Sequence, residues 1–268
     1  MKIPSSIFKF LNPENEIHEI CTYTANTYKT IKSESPLISI VIPAFNEGEN
    51  IVATLSSLCA NKTNKGIEII VVNNNSKDNT EALVKACGVQ CILETKQGIS
   101  YARNKGLFMA KGKYILNADA DTIYPENWID EMVKPLIDDN KVAIVYGKFS
   151  FIPVGQTGRA IYFIYEHFAD LARWINKYLK DEAVNVYGFT SAVRKDQALS
   201  VNGFDHPNGA NEDGYMALKL RDKGYGKFYN VTTNKALVWT TDRRMQIDGG
   251  LIKAIWRRIN RVFFNGER

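Results

Sequence analysis

The chain has 268 residues, 45% of them apolar and 24% charged. That balance is ordinary for a globular protein and argues against a disordered or fibrous chain. The formal net charge of +5 is a mild excess that suits phosphate-bearing ligands or an anionic membrane surface and selects neither. The length fits one large α/β domain or two small ones. Cys21, Cys59, Cys87 and Cys91 read as reduced thiols of a cytosolic protein. The Cys87/Cys91 pair lacks the repeated spacing and nearby histidine of a zinc site. No stretch approaches the ~20 apolar residues of a membrane span. The N-terminus lacks the basic start and apolar core of a secretory signal. The expected location is the cytoplasm, with contact to the inner face of a membrane left open.

Residues 1–35 are polar and mixed and read as an N-terminal arm, within which Ile17 to Tyr28 has the pattern of a short helix. From Leu37 the pattern changes. Leu37 to Ile42 is an apolar, β-branched run stopped by Pro43, the signature of a buried strand. A turn at Asn46 to Asn50 leads to a helix over Ile51 to Cys59. Ile67 to Val72 is a second strand, ended by Asn73-Asn74-Asn75-Ser76. A helix over Thr80 to Ala86 follows, opened by Ser76 and Asp78. Val89 to Leu93 is a strand, Ser100 to Ala110 a helix, and Lys113 to Asn117 a strand. This alternation with short links predicts a mainly parallel sheet flanked by helices. Ligands bind such sheets at the carboxyl ends of the strands. The loops after Ile42, Val72 and Asn117 are therefore the candidate site.

Further along, Trp128 to Ile137 predicts a helix and Val142 to Phe151 a strand. An aromatic stretch spans Arg159 to Leu179, and Gly188 to Val193 follows it. A short helix ends near Val201, Glu212 to Lys223 forms another, and Ala236 to Trp239 is a last strand. Leu251 to Phe264 is basic and amphipathic. It either lies on an anionic membrane or packs its apolar side on the domain. The aromatic stretch either packs the core or covers an acceptor.

Asp119-Ala120-Asp121 follows the strand Lys113 to Asn117. Two carboxylates at a strand end can hold a divalent cation and ribose hydroxyls, and such a cation neutralises a pyrophosphate. By itself the pattern is common by chance. Its context is an apolar strand delivering acids to the ligand edge of the sheet.

Five segments in order make the chain resemble the family 2 glycosyltransferases over about Pro36 to Thr241. They are Ser39 to Glu47, Ile69 to Thr80, Gly98 to Gly106, the Asp119/Asp121 pair, and Asn202 to Asp205 followed by Asn211-Glu212-Asp213. The resemblance implies the GT-A fold, a Rossmann-like nucleotide-diphospho-sugar transferase domain over 36–245. The arm precedes it, and a basic amphipathic helix over 246–268 follows.

By the same resemblance Pro43, Ala44 and Glu47 lie against the nucleotide base and ribose. Asn73 stands where the family has an aspartate that accepts a bond from uracil. Its amide either keeps that contact or serves a turn. Arg103 either binds the pyrophosphate or braces a loop carboxylate. Asp119 and Asp121 hold the donor and a divalent cation, manganese or magnesium, with Asp121 the main ligand. Asp213 is the expected base that takes the acceptor proton. The histidine that many relatives carry after the last strand is missing. Arg243 and Arg244 stand there instead, meeting phosphate or solvent. The glutamine-arginine-tryptophan signature of processive synthases is also missing.

The implied activity is inverting transfer of a single sugar from a nucleotide-diphosphate sugar, UDP favoured, to a glycan or lipid-linked acceptor. The competing reading is an inactive nucleotide-sugar or glycan-binding module of the same fold. No nucleic-acid partner is expected.

Overall fold

The computed structural model describes residues 2–11, 15–155, 157–247, 249–251, 253 and 256. The chain begins with α1 (Ser5–Leu11), α2 (Ile17–Ile31), β1 (Ile38–Ala44), α3 (Ile51–Cys59), β2 (Ile67–Asn73) and α4 (Thr80–Ala86). It continues with β3 (Gln90–Leu93), α5 (Ile99–Met109), β4 (Tyr114–Asn117), β5 (Thr122–Ile123), α6 (Trp128–Asp138), β6 (Val142–Tyr146) and β7 (Phe149–Ile152). Then come α7 (Arg159–Leu179), β8 (Ser191–Arg194), α8 (Lys195–Ser200), α9 (Glu212–Asp222), β9 (Lys227–Asn230), β10 (Val238–Thr241) and α10 (Arg243–Ile247). Short 3-10 turns at Glu182–Asn185 and Gly188–Thr190 join α7 to β8.

Among the described residues the main sheet has seven strands in the order β3-β2-β1-β4-β8-β6-β9. Only β8 runs against its neighbours β4 and β6. β1 and β2 are almost wholly buried, because a parallel strand covered by helices on both sides has no wet face. Their run of isoleucine and valine satisfies that demand, each side chain contributing roughly 1.5–3 kcal/mol on burial. One charge sits among them. Glu68 Oε1 accepts from Ser39 Oγ at 2.5 Å and from the Lys111 amide at 2.6 Å, so the buried carboxylate is not orphaned. The mixed, mainly parallel sheet flanked by helices is the architecture read from the sequence.

A second, three-stranded sheet has the order β5-β10-β7. It corrects one expectation. The segment Val142 to Phe151 is two strands in two sheets, parted at Gly147 and Lys148. The Gly147 amide bonds the Thr190 carbonyl at 2.9 Å, and a Cβ there would lie 2.4 Å from Thr190 Oγ1. The chain must turn where two backbones touch, which an alternation pattern does not reveal. Gly188 to Val193 is likewise a 3-10 turn running into β8. The two-residue β5, the half-exposed β9 and the seven-residue α1 have too little apolar periodicity to be read in advance.

Within the N-terminal stretch α2 packs on the sheet domain. Cys21, Thr24 and Tyr28 are buried, and Thr24 Oγ1 lies 2.6 Å from Ser56 Oγ on α3. β3 pairs with β2 only from Ile70 onward, and the amide of Ile69 donates to Tyr28 Oη at 2.8 Å. All four cysteines are unpaired. No described helix is long and apolar enough to cross a membrane. The amphipathic stretch Leu251 to Phe264 lies, apart from Leu251, Lys253 and Trp256, outside the described residues.

Tyr28→Phe keeps the ring and leaves the buried Ile69 amide without its acceptor. It is expected to cost about 1–3 kcal/mol, read as a lower urea midpoint at unchanged slope. An unchanged midpoint would mean that the Tyr28–Ile69 hydrogen bond adds nothing to the stability of the sheet.

Candidate active site

Three loops meet at the carboxyl ends of β1, β2 and β4. The first two are laced together. Asn46, at φ 55°, accepts the Lys77 amide on Oδ1 at 2.7 Å and gives its own amide to Ser76 Oγ at 2.9 Å. The Glu47 amide donates to Thr80 Oγ1 at 2.8 Å and the Gly48 amide to Asp78 Oδ2 at 2.9 Å. Asp78 also caps α4 through the Thr80 amide at 3.1 Å, whereas Ser76, expected to help open that helix, serves the first loop. Asn residues carry these turns because they tolerate positive φ and bond their own backbone neighbours.

Pro43 and Ala44 end β1 in register with Val72 and Asn73. Asn73 is buried, its Oδ1 accepting from the Ser76 amide at 2.9 Å and its Nδ2 donating to Glu81 at 3.2 Å. The first of these bonds closes the turn that follows β2.

The third loop carries the acids. Asp119 accepts on Oδ1 from Arg103 Nη2 at 2.8 Å, and its amide bonds Tyr124 Oη at 2.9 Å. Asp121 Oδ2 accepts from Thr241 Oγ1 at 3.0 Å, because β10 pairs with β5 beside it. Arg243 follows β10, hydrogen-bonds Glu47 Oε1 and stands 3.5 Å from Asp121 Oδ2. Its guanidinium thus spans the first and third loops. Burial, and then the charges of Asp119 and Glu47, push Asp121 up to about 6. A cleft of about 660 Å³ opens beside Asp121 and Thr241 and reaches Asn50 and Phe8. That volume suits a small-molecule ligand.

Arg103 on α5 is 1% exposed. Besides Asp119 it faces Asp213 at 3.6 Å, Glu212 at 3.8 Å and the Gly188 carbonyl at 3.2 Å. The pyrophosphate contact read for Arg103 is therefore not what the geometry offers: its guanidinium is enclosed by carboxylates, as in the bracing alternative.

Asp213 sits in the first turn of α9, which is capped by Asn211. Its Oδ2 accepts from the Gly188 amide at 2.7 Å. Its Oδ1 has no hydrogen-bond partner among the described residues. Burial pushes its pKa up to about 7, with Arg103 opposing and the charges of Glu212 and Asp119 adding to the rise.

The residue that sequence reasoning missed is Gly188. A Cβ there would lie 2.2 Å from Arg103 Nη2 and 2.4 Å from Asp213 Oδ1. Only a glycine admits its backbone between those groups, and nothing in Tyr187-Gly188-Phe189 announces it.

The profile of the glycosyl transferase family 2 matches residues 39–199. The chain belongs to that family. An uncharacterized glycosyltransferase of Rickettsia typhi, RT0329, is 36% identical over 142 residues, covering 52% of this chain and 42% of its own. The glycosyltransferase AglE of Haloferax volcanii is 27% identical over 201 residues, 72% of this chain and 64% of its own. The chain spans about two fifths of the length of several such relatives.

Among solved structures, glucosyl-3-phosphoglycerate synthase of Mycobacterium tuberculosis, in complex with Mn2+, UDP-glucose and phosphoglyceric acid, superposes with a TM-score of 0.57. It is 17% identical, over 93% of this chain and 84% of that one. TarS of S. aureus in complex with UDP gives 0.57 at 16% identity, over 85% and 67%. At that identity the likeness speaks to the fold.

A family 2 site raises the question of a divalent cation. Among the described residues no group of three His, Cys, Asp or Glu side chains is close enough to hold a metal unaided. The available donors are hard carboxylate oxygens, and the charges of Asp119 and Glu47, which add to burial in raising Asp121, are what a cation relieves. Such donors fit an ion that takes one or two carboxylates and completes its shell with phosphate oxygens.

Arg103→Met strands three buried or half-buried carboxylates without their shared cation. Breaking such a cluster is expected to cost about 3–5 kcal/mol, measured by urea unfolding at pH 7.5. A loss below 1 kcal/mol would show that Arg103 does not hold the site together.

Proposed function

We propose that this family 2 protein is a glycosyltransferase that moves a single sugar, with inversion, from a nucleotide-diphosphate sugar to a hydroxyl of a glycan or lipid-linked acceptor. A UDP-sugar is the favoured donor. The observation that carries this reading is Asp213, with one oxygen fixed by a backbone amide, the other free of hydrogen bonds, and Arg103 tying it to Asp119. A donor-binding module has no use for a buried carboxylate with an oxygen free of hydrogen bonds on the acceptor side.

In this mechanism Pro43, Ala44 and Glu47 line the nucleoside, Glu47 accepting from ribose hydroxyls. Asn73 sets the turn beneath the base. Asp121, with Asp119, holds manganese or magnesium. That ion, when bound, supplies charge neutralisation at the departing diphosphate. Arg243 releases Glu47 as the ribose arrives and turns its guanidinium toward phosphate. Arg103 keeps Asp119 and Asp213 at fixed separation. Asp213 Oδ1 takes the proton of the attacking hydroxyl. It is covered in this structure, so the segment Tyr187 to Phe189 moves as the acceptor enters. One backside displacement gives inversion and needs no second carboxylate. The reaction runs at the cytoplasmic side, at the inner face of a membrane where the acceptor is lipid-borne.

The donor half is tested by thermal shift with UDP, GDP, dTDP and CMP, each with and without Mn2+. One nucleotide, UDP, is expected to raise the melting temperature in a metal-dependent way, and Asp121→Asn to lose the effect. No shift with any nucleotide would favour the inactive module.

The chemical half is tested with Asp213→Asn, which is expected to lower transfer by about 10²–10⁴-fold while UDP binding persists. Because the base works as the carboxylate and burial raises its pKa to about 7, wild-type kcat/KM should fall about tenfold per pH unit below that value. A profile flat from pH 5 to pH 8 would rule Asp213 out as the titrating base.

A further inference from the structure

Helix α7 has an apolar side facing inward and another facing outward. Tyr162, Tyr165, Ala169 and Ala172 are buried, and Phe151 of β7 packs on Tyr162 and Tyr165 at ring separations of 5.2 and 6.1 Å. On the other side Ile161, Ile164, Phe168, Leu171, Trp174 and Tyr178 are each at least 50% exposed. These positions recur every three or four residues and, at 3.6 residues per turn, sweep roughly 140° of the helix. His167 is the one exposed side chain of α7 that is not apolar.

The charges of the helix are turned elsewhere. Arg159 pairs with Glu166 at 2.7 Å, Asp170 meets Arg173 and Lys148, and Lys177 meets Glu182 at 3.3 Å. A helix on the surface of a water-soluble domain shows the reverse arrangement, with its polar face outward. Apolar patches of this extent mark a surface that something covers.

We propose that the outer face of α7 lies in the interfacial layer of an anionic bilayer. Three observations select lipid as the occupant. The face is broader than the narrow seam one partner helix fills. Trp174 and Tyr178 stand exposed in its last turns, amphipathic rings of the kind that settle at headgroup level. The third is charge. Met245 and Leu251 pack against the cluster of Phe151, Tyr162 and Tyr165, which places Leu251 beside α7. From residue 252 onward it carries five basic side chains against one acidic. An uncharged apolar face in a chain whose last residues are basic in sequence matches a hydrocarbon boundary under anionic headgroups.

The consequence for the site rests on the proposed function. The C-terminal end of α7 runs through the turn at Glu182–Asn185 to Gly188, which holds Asp213. Docking through α7 thus brings the acceptor side of the site to the bilayer, and the acceptor class becomes a lipid-borne sugar.

The test is flotation of the full chain with vesicles of phosphatidylcholine alone and of phosphatidylcholine with phosphatidylglycerol. The wild type is expected to float with the anionic vesicles and not with the neutral ones. The double substitution Phe168→Glu, Leu171→Glu should reduce the bound fraction at least tenfold. The thermal shift by UDP and Mn2+ must be the same in both proteins, which keeps the fold and the donor site as internal controls.

Absence of wild-type binding overturns the proposal, and so does a double variant that binds as well as the wild type. A wild type that stays off vesicles and elutes as a dimer, with the variant monomeric, overturns it in favour of a second copy. Failure of the donor reading is seen separately, as loss of the nucleotide shift with vesicle binding intact.

Discussion

The buried guanidinium of Arg103 is the point on which the site depends. Three carboxylates, Asp119, Glu212 and Asp213, come from two loops far apart in the chain and would repel one another in a dry interior. A single cation at 2.8 to 3.8 Å from all three makes their company tolerable. A lysine could not face three acids and the Gly188 carbonyl at once, because it lacks the planar fork of donors. The glycine at 188 is the geometric counterpart of that arginine. It brings a backbone amide onto Asp213 where any side chain would strike the guanidinium.

The same arrangement sets the electrostatics of the two acids on which the proposed chemistry turns. Asp119 spends one oxygen on Arg103, leaving Asp121 as the carboxylate nearer the cleft, with Thr241 and Arg243 as its partners. Asp213 keeps one oxygen free of hydrogen bonds in a buried place, 3.6 Å from Arg103 Nε. Both are pushed upward, first by burial and then by like charges that the sheet edge brings together. These are pressures that binding of a cation or a proton relieves, and a perturbed carboxylate lining a cleft, as Asp121 does, marks a functional site.

The second sheet makes this arrangement possible without a histidine. β10 pairs with β5 directly after the acidic loop, so Thr241 and Arg243 arrive at Asp121 whatever their identity. Arg243 links Glu47 to Asp121 and so bridges the first and third loops. The outer face of α7, on the other flank of β7, belongs to a different surface and is free of charge.

Much of this was legible in advance. Strands β1 and β2 announce themselves as runs rich in isoleucine and valine and β4 as a short apolar run, because a strand covered on both sides must be mostly apolar. Their short links dictate parallel order, and parallel order places the loops after Ala44, Asn73 and Asn117 on one edge. Asp119, Asp121 and Asp213 followed from the resemblance of ordered motifs. The partners of Arg103 did not, since a helix position says nothing of which acids from residues 212 and 213 fold back over it. Nor did Gly188, the split of Val142 to Phe151 into two sheets, or the meeting of Arg243 with Glu47. Local sequence determined which segments are strands and which loops carry acids, because burial and turn chemistry act over a few residues. Only the tertiary structure decided which charges share a cation and which oxygen lacks a hydrogen bond, because those distances are set between segments as far apart in the chain as Arg103 and Asp213 or Glu47 and Arg243.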